Sequence, residues 1–422
     1  MEEIERRTIR KVSLRILPIL ILGYLIAYID RSNIGFATLT MGPELGIGSS
    51  AFGLAGGLFF IAYVLFEVPS NLAQERVGAR LWIARIMVSW GLVGLAMAAV
   101  RGPVSFAVAR FLLGAAEAGF FPGVILYLSQ WFPRAHRSRI VALFMISIPL
   151  SNVVGSGLSA MLLSLDGAMG LQGWQWLFLL ESLPAIVLGA LVPFLLADSP
   201  KQVGWLDADE RAWLCQTLES EQSAASQGHG SVWRVMTDRR VWALALIYCG
   251  SSATSNVLSV WQPKIISSFG LTLWQTAGLN MIPFAAATAF MIFWGHRSDR
   301  KASRIGPTAG PLLVTSAALF LTLLTGSLAL TMALLVVILM ANYALKGPFW
   351  ALASETLGVR EAAAGIAAIN ALAHMGTSGA NAVFGVLHEK SGSFAIALLP
   401  LACLTLAGAV MTVALGRSRT MD

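Results

Sequence analysis

Apolar residues run along this chain in blocks of about twenty, broken by short polar segments, with none of the two-residue alternation of a half-buried strand. A helix needs roughly 20 apolar residues to cross about 30 Å of hydrocarbon, so each block predicts one membrane-spanning helix. Spans are expected at 14–36, 52–73, 81–100, 104–127, 138–163, 174–197, 241–263, 273–295, 308–329, 331–354, 362–387 and 393–416. The pattern predicts an all-α membrane protein of twelve transmembrane helices. One long polar stretch, 198–240, interrupts it and separates two sets of six. The expected organisation is therefore an N-terminal tail (1–13), a six-helix bundle (14–197), a linker (198–240), a second bundle (241–416) and a short C-terminal tail (417–422). Within the linker, residues 207–221 read as an amphipathic helix with Asp207 as its N-cap.

Composition agrees: 56% of the 422 residues are hydrophobic and 12% charged, about half the charge of a soluble chain. The formal net charge of +7 is unevenly placed. Arg6, Arg7, Arg10, Lys11 and Arg15, then Arg76 and Arg80, Arg134, Arg137 and Arg139, the linker, and the Arg297 to Arg304 cluster fall on alternate connections, while the others hold only Arg101, Lys264 and Lys390. By the positive-inside rule both termini are expected on the cytoplasmic side of the membrane. The basic excess then reflects topology and attraction to the lipid bilayer, and is no argument for a nucleic-acid partner. The first span is longer than a signal-peptide core and is expected to remain as a helix. Cys215, Cys249 and Cys403 are scattered, with no CxxC and no histidine at ligand spacing, so neither disulfide nor metal is indicated.

Chemistry resides in what the spans should not contain. Asp30, Arg31, Arg110, Glu117 and Lys346 lie inside apolar blocks, where each charge costs roughly 2.5–3.5 kcal/mol or more unless it faces a protein-lined, water-accessible cavity. Arg110 and Glu117 are seven residues apart and share a helix face, about 10 Å along the axis. Asp30 and Arg31 point about 100° apart, so one can face a cavity while the other faces a neighbouring helix. The connections after the second and eighth spans also repeat a pattern. Glu75-Arg76 followed by Arg80 is matched by Asp299-Arg300 followed by Arg304, and two halves related by such a repeat suit an alternating-access carrier.

These connections resemble the loop signature G-x-x-x-D-R-x-G-x-R of the major facilitator superfamily, with Asn71 and Glu75 departing from it in the first copy and Ala302 in the second. More specific are Tyr28-Ile-Asp30-Arg31-Ser-Asn33 in the first span, Arg110-Phe-Leu-Leu-Gly-Ala-Ala-Glu117-Ala-Gly-Phe-Phe-Pro122-Gly in the fourth, and Gly347-Pro-Phe-Trp350-Ala in the tenth. Those strings resemble the anion:cation symporter family, which includes bacterial sugar-acid, tartrate and aromatic-acid permeases. The resemblance implies that Asp30 and Glu117 are proton sites, that Arg110 partners Asp30, and that Arg31 takes the substrate carboxylate, a task suited to the planar guanidinium fork. It also implies a cavity lined by Tyr28 and Tyr63 from the first half and by Trp350, Ser354 and Asn370 from the second. Gln262, before Pro263, stands where relatives usually carry an apolar residue.

Some roles stay open at this level. The polar run Ser251, Ser252, Thr254, Ser255 and Asn256 suits hydroxyl recognition and equally suits close helix packing. Lys346 is either a second anion ligand or a snorkelling, structural cation. His374 is titratable, though a lone membrane histidine more often bonds a neighbouring helix; Glu67 and Glu181 read as structural. Structural salt bridges are the bland alternative for Asp30, Arg31, Arg110 and Glu117. Glu75, Arg76, Arg80, Asp299, Arg300 and Arg304 read as cytoplasmic gate and topology charges rather than substrate ligands. The expected function is a monomeric proton-coupled symporter importing a small organic anion, with the proton as coupling ion and no cofactor. An exchanger or exporter of organic anions is the alternative within transport. An intramembrane enzyme or sensor is disfavoured, because no paired catalytic aspartates, HExxH, Ser-Lys or Ser-His arrangement stands at usable spacing.

Overall fold

The computed structural model describes residues 2–225, 237–299, 304–324 and 326–419, and among them it is helical throughout, without a strand. Among the described residues, eleven helices are long and apolar enough to cross a membrane. The twelfth expected span, 362–387, is helical but falls outside that set. Asn370, His374, Thr377, Ser378 and Asn381 make it more polar than its fellows.

The helices are α1 (Glu2–Leu45), α2 (Ser49–Val77), α3 (Ala79–Ala96), α4 (Pro103–Glu117), α5 (Phe120–Trp131), α6 (Arg134–Met145), α7 (Ser147–Leu163) and α8 (Gly173–Leu195). Then come α9 (Ala208–Ala225), α10 (Arg239–Ser267), α11 (Leu273–Asp299), α12 (Ile305–Leu321), α13 (Leu328–Ala344), α14 (Lys346–Ser391) and α15 (Phe394–Arg419). Several differ from the expected spans for local reasons. The first is 44 residues long and overshoots the hydrocarbon at both ends. The fourth span is two helices: Gly119 takes φ 86°, a left-handed conformation open to glycine, and the chain restarts as α5. That break leaves Glu117 as the last residue of α4. The tenth and eleventh spans run together as α14, yet Trp350 and His374 line one cavity. A straight helix would set them about 36 Å apart, so α14 doubles back between them, and Gly365 meets Leu357 across the bend.

Helices before α9 pack largely on one another (α3 on α8, α2 on α4, α1 on α7 and α8), as do those after it (α12 on α15, α11 on α13, α10 on α14 and α15). Between the two sets, α2 meets α14, α7 meets α11 and α1 meets α10. Hydrogen bonds across this seam lie toward the face of the bundle remote from the chain termini, the far face. Ser259 Oγ donates to Asn152 Oδ1 at 2.7 Å and Asn280 Nδ2 to Ser156 Oγ at 2.8 Å. Ser50 N–H donates to Glu389 Oε2 at 2.6 Å, and Ser49 Oγ lies 2.8 Å from His388 Nδ1. Glycines allow the close approach: a Cβ on Gly35 would overlap the Val260 carbonyl, and one on Gly53 the Asn381 carbonyl.

On the termini-bearing face, α9 is bound to the start of α1. Glu210, fully buried, accepts Arg7 Nε at 2.6 Å and Lys11 Nζ at 2.9 Å. Asp207 takes the expected N-cap position: Arg211 N–H bonds its carbonyl, and Glu210 Oε2 accepts its N–H at 3.0 Å. Its carboxylate is drawn to Lys11 at 3.0 Å. Burial alone would raise the Glu210 pKa, but hydrogen bonds from Lys11, the Asp207 backbone and Arg7 hold it below the ordinary carboxylate value.

Candidate functional site

Between the two sets of helices lies a cavity, closed on the far face by the contacts above. Its wall brings together Tyr28, Arg31 and Tyr63 from α1 and α2 with Asn256 from α10 and Lys346, Trp350, Asn370 and His374 from α14. Ser354, expected with them, is not in the wall. It is exposed one turn beyond Trp350 and donates its hydroxyl to the Trp350 carbonyl at 2.9 Å.

Arg31 is the centre of this wall. Its Nη2 and Nε reach Glu117 Oε1 at 2.5 and 2.7 Å. The rings of Tyr28, Phe59 and Tyr63 surround the guanidinium at 4.8, 5.3 and 5.1 Å. Glu117 itself is absent from the lining; Arg31 stands between it and the cavity. The expectation that Arg110 partners Asp30 needs correction. Asp30 Oδ2 accepts from Trp90 Nε1 at 3.0 Å, and Arg110 lies over Phe59 at 4.7 Å with its Nε and Nη1 unpartnered among the described residues. Asp30 points toward α3, so the packed indole reaches it first. Trp90 and Phe59 were missed in the sequence because an aromatic inside an apolar block carries no polar signal.

Lys346 stands across the cavity, its Nζ 4.3 Å from the centre of the Tyr343 ring, with no acid within ion-pair distance among the described residues. It begins α14, where the tenth span restarts. His374 stacks on Phe60 at 5.4 Å and leans on Tyr63 at 5.5 Å, bridging the two sets of helices. The polar run of α10 divides. Ser252, Ser255 and Asn256 face the cavity, whereas Ser251 and Thr254 are turned into packing, Ser251 against the Asn342 carbonyl and Thr254 onto Gly250.

The repeated loop charges lie away from the cavity. Glu75 and Arg76 are exposed. Arg80 binds Asp198, backbone N–H to Oδ1 at 3.0 Å and Nε to Oδ2 at 3.4 Å, tying α3 to the end of α8. Arg304 reaches the Ser298 carbonyl at 2.9 Å and Glu355 at 3.4 Å. Arg300 and the side chain of Asp299 lie outside the described residues.

A cationic, aromatic cavity between two helix sets is now joined by sequence similarity: the family model of the Major Facilitator Superfamily matches residues 20–381. The chain belongs to the major facilitator superfamily. Members of this superfamily carry solutes, so the protein is a transporter and not an enzyme. A putative tartrate transporter of Agrobacterium vitis is 44% identical over 99% of this chain and 96% of its own length. A quinolone resistance transporter of Acinetobacter baumannii is 39% identical over 97% of this chain and 95% of its own. Among solved structures, a xylose transporter from E. coli in a partially occluded inward-open conformation matches with TM-score 0.76 at 15% identity, covering 96% of this chain and 98% of that one. The fold is thus the major facilitator fold.

Proposed function

We propose that this transporter imports a small dicarboxylate of the tartrate type by proton symport. One observation carries the reading: the buried Arg31–Glu117 pair stands at the wall of a cavity whose opposite side presents Lys346. A dicarboxylate has one anchor in each helix set, and binding it draws the sets together. In the cycle, a proton on Glu117 frees Arg31 for a substrate carboxylate while the cavity faces outward. After reorientation the substrate leaves, Glu117 loses its proton and retakes Arg31. The resulting neutral pair lets the empty carrier return, because closing over an unpaired charge is costly. A proton moving down 100 mV contributes about 2.3 kcal/mol to accumulation. In this scheme the termini-bearing face is cytoplasmic, the membrane is the bacterial inner membrane, the working unit is a monomer, and the far-face-closed arrangement is inward-facing. The close tartrate-transporter relative supports the substrate class.

The test is uptake of labelled tartrate by proteoliposomes with an imposed pH gradient. Concentrative uptake that a protonophore abolishes is expected; uptake requiring internal substrate and ignoring the gradient would make the protein an exchanger. The quinolone-resistance relative favours a second reading, export of amphipathic drugs, and the aromatic wall of Tyr24, Tyr28, Tyr63, Phe121, Tyr248 and Trp350 suits such cargo. Protection of cells against a fluoroquinolone, with no tartrate uptake, would select it.

A further inference from the structure

The α10 side of the cavity is polar, but much of what it could offer a substrate is already committed. Ser255 Oγ donates to the Ser251 carbonyl at 2.9 Å, and Asn256 Nδ2 to the Ser252 carbonyl at 2.8 Å. Ser259 Oγ donates to Asn152 across the seam at 2.7 Å, and Ser252 Oγ accepts from Thr377 Oγ1 at 3.1 Å. The α14 side differs. Asn370 and His374, one turn apart on the same face of that helix, line the cavity and make no hydrogen bond among the described residues.

His374 is nevertheless firmly held. Its ring stacks on Phe60 of α2 at 5.4 Å with 17° between the planes, and it meets Tyr63 at 5.5 Å. Tyr63 in turn presents its ring to the Arg31 guanidinium at 5.1 Å, so the imidazole stands one ring away from the proposed carboxylate anchor. It is also the innermost rung of the α2–α14 seam. Toward the far face follow Ser378, whose Oγ donates to the Gly57 carbonyl at 2.9 Å, and Asn381, packed against Gly53. Nδ1 of His374 is enclosed without a partner among the described residues, which leaves Nε2 as the nitrogen the ring offers to the cavity.

An imidazole nitrogen either donates or accepts a hydrogen bond; a hydroxyl answers both and a methylene neither. In a 2-hydroxy acid the hydroxyl sits on the carbon next to the carboxylate, so with that carboxylate on Arg31 the hydroxyl falls on this part of the wall. We propose that His374 is a specificity-determining residue whose Nε2 hydrogen-bonds a substrate hydroxyl and so selects hydroxylated dicarboxylates over plain ones. The proposal rests on the dicarboxylate reading above and narrows its substrate class. A site that hydrogen-bonds a substrate hydroxyl rejects the analogue lacking it, because its own polar group is then left without a partner.

The test is titration calorimetry of the full chain as wild type, His374→Phe and His374→Gln, with tartrate, malate and succinate, which carry two, one and no hydroxyls. Phenylalanine keeps a ring against Phe60 and Tyr63 and removes both nitrogens; glutamine gives up the stack and keeps a donor and an acceptor. Wild type should bind tartrate at least about tenfold more tightly than succinate. In His374→Phe, tartrate affinity should fall about tenfold while succinate affinity changes less than about twofold, and in His374→Gln the preference for tartrate should persist. A tartrate preference that survives in His374→Phe, or an equal fall for all three ligands, would overturn the proposal and make His374 a packing residue of the seam. Equal binding of the three by wild type would also overturn it. Wild type that binds none of them fails the dicarboxylate reading and the proposal with it, an outcome distinct from the others. If His374→Phe does not fold, His374→Leu, which also lacks the nitrogens, decides by the same comparison.

Discussion

Replacing Glu117 with Gln removes the ion-pair partner that holds Arg31 in the empty carrier. The contact consists of one charge-assisted hydrogen bond from Nε at 2.7 Å and an ion contact from Nη2 at 2.5 Å, both to one carboxylate oxygen, and breaking a buried pair typically costs about 3–5 kcal/mol. The low end applies here, because glutamine keeps one acceptor oxygen and three aromatic rings continue to face the guanidinium, each contributing about 0.5–2 kcal/mol. A loss near 3 kcal/mol is equally the competition that a substrate carboxylate faces when Glu117 is ionised. At about 1.4 kcal/mol per tenfold, this corresponds to roughly 100-fold in affinity. Tartrate should therefore bind Glu117→Gln at pH 8 about 100-fold more tightly than it binds wild type at that pH, with little change between pH 6 and 8. Titration calorimetry on the purified proteins measures both numbers. Concentrative uptake should be lost in the same variant, since no proton is released with the substrate. A variant that binds no better at pH 8, or keeps the wild-type pH dependence of binding, would refute the exchange of Glu117 for substrate on Arg31.

Arg31→Lys keeps the charge and loses the planar fork, so tartrate affinity by calorimetry should fall at least tenfold, or about 1.4 kcal/mol; unchanged affinity would move the carboxylate site elsewhere. Lys346→Gln should narrow the affinity gap between tartrate and a matched monocarboxylate, and equal binding of both by wild type would make Lys346 structural. Gly35→Ala puts a methyl against the Val260 carbonyl, so the far face should close less completely. A cysteine introduced at Ser49, in a background lacking the native cysteines, should then label faster with an impermeant maleimide. The depressed carboxyl of Glu210 stabilises α9 docking at pH above its unfolded value of about 4.3, and that stability is lost as pH falls through the lower folded value. Protease cleavage in the linker should rise below about pH 4, and Glu210→Gln should show the raised rate already at pH 7.

Much of this protein was legible in its hydrophobic pattern, because a bilayer forces every span to be a helix of nearly fixed length and leaves few other solutions. The same logic marked Asp30, Arg31, Arg110, Glu117 and Lys346, whose charges stand out against an apolar background. Helix breaks at Gly119 and at the start of α14 were not legible. They fall inside continuous apolar blocks and depend on what packs beside them, Ser70 in the first case. Pairing was likewise a tertiary decision. Sequence spacing placed Arg110 and Glu117 on one face but could not tell which arginine the carboxylate meets; the packing of α1 against α4 gave it Arg31, and α3 gave Asp30 to Trp90. The division of the α10 serines between cavity and packing, and the removal of Ser354 from the wall, turn on helix rotation and on which end of the seam is closed. The sequence alone determined that charges must be buried and roughly where. Their partners were decided by three-dimensional packing, because in a low-dielectric interior a shift of a few ångströms changes which ion pair is worth making.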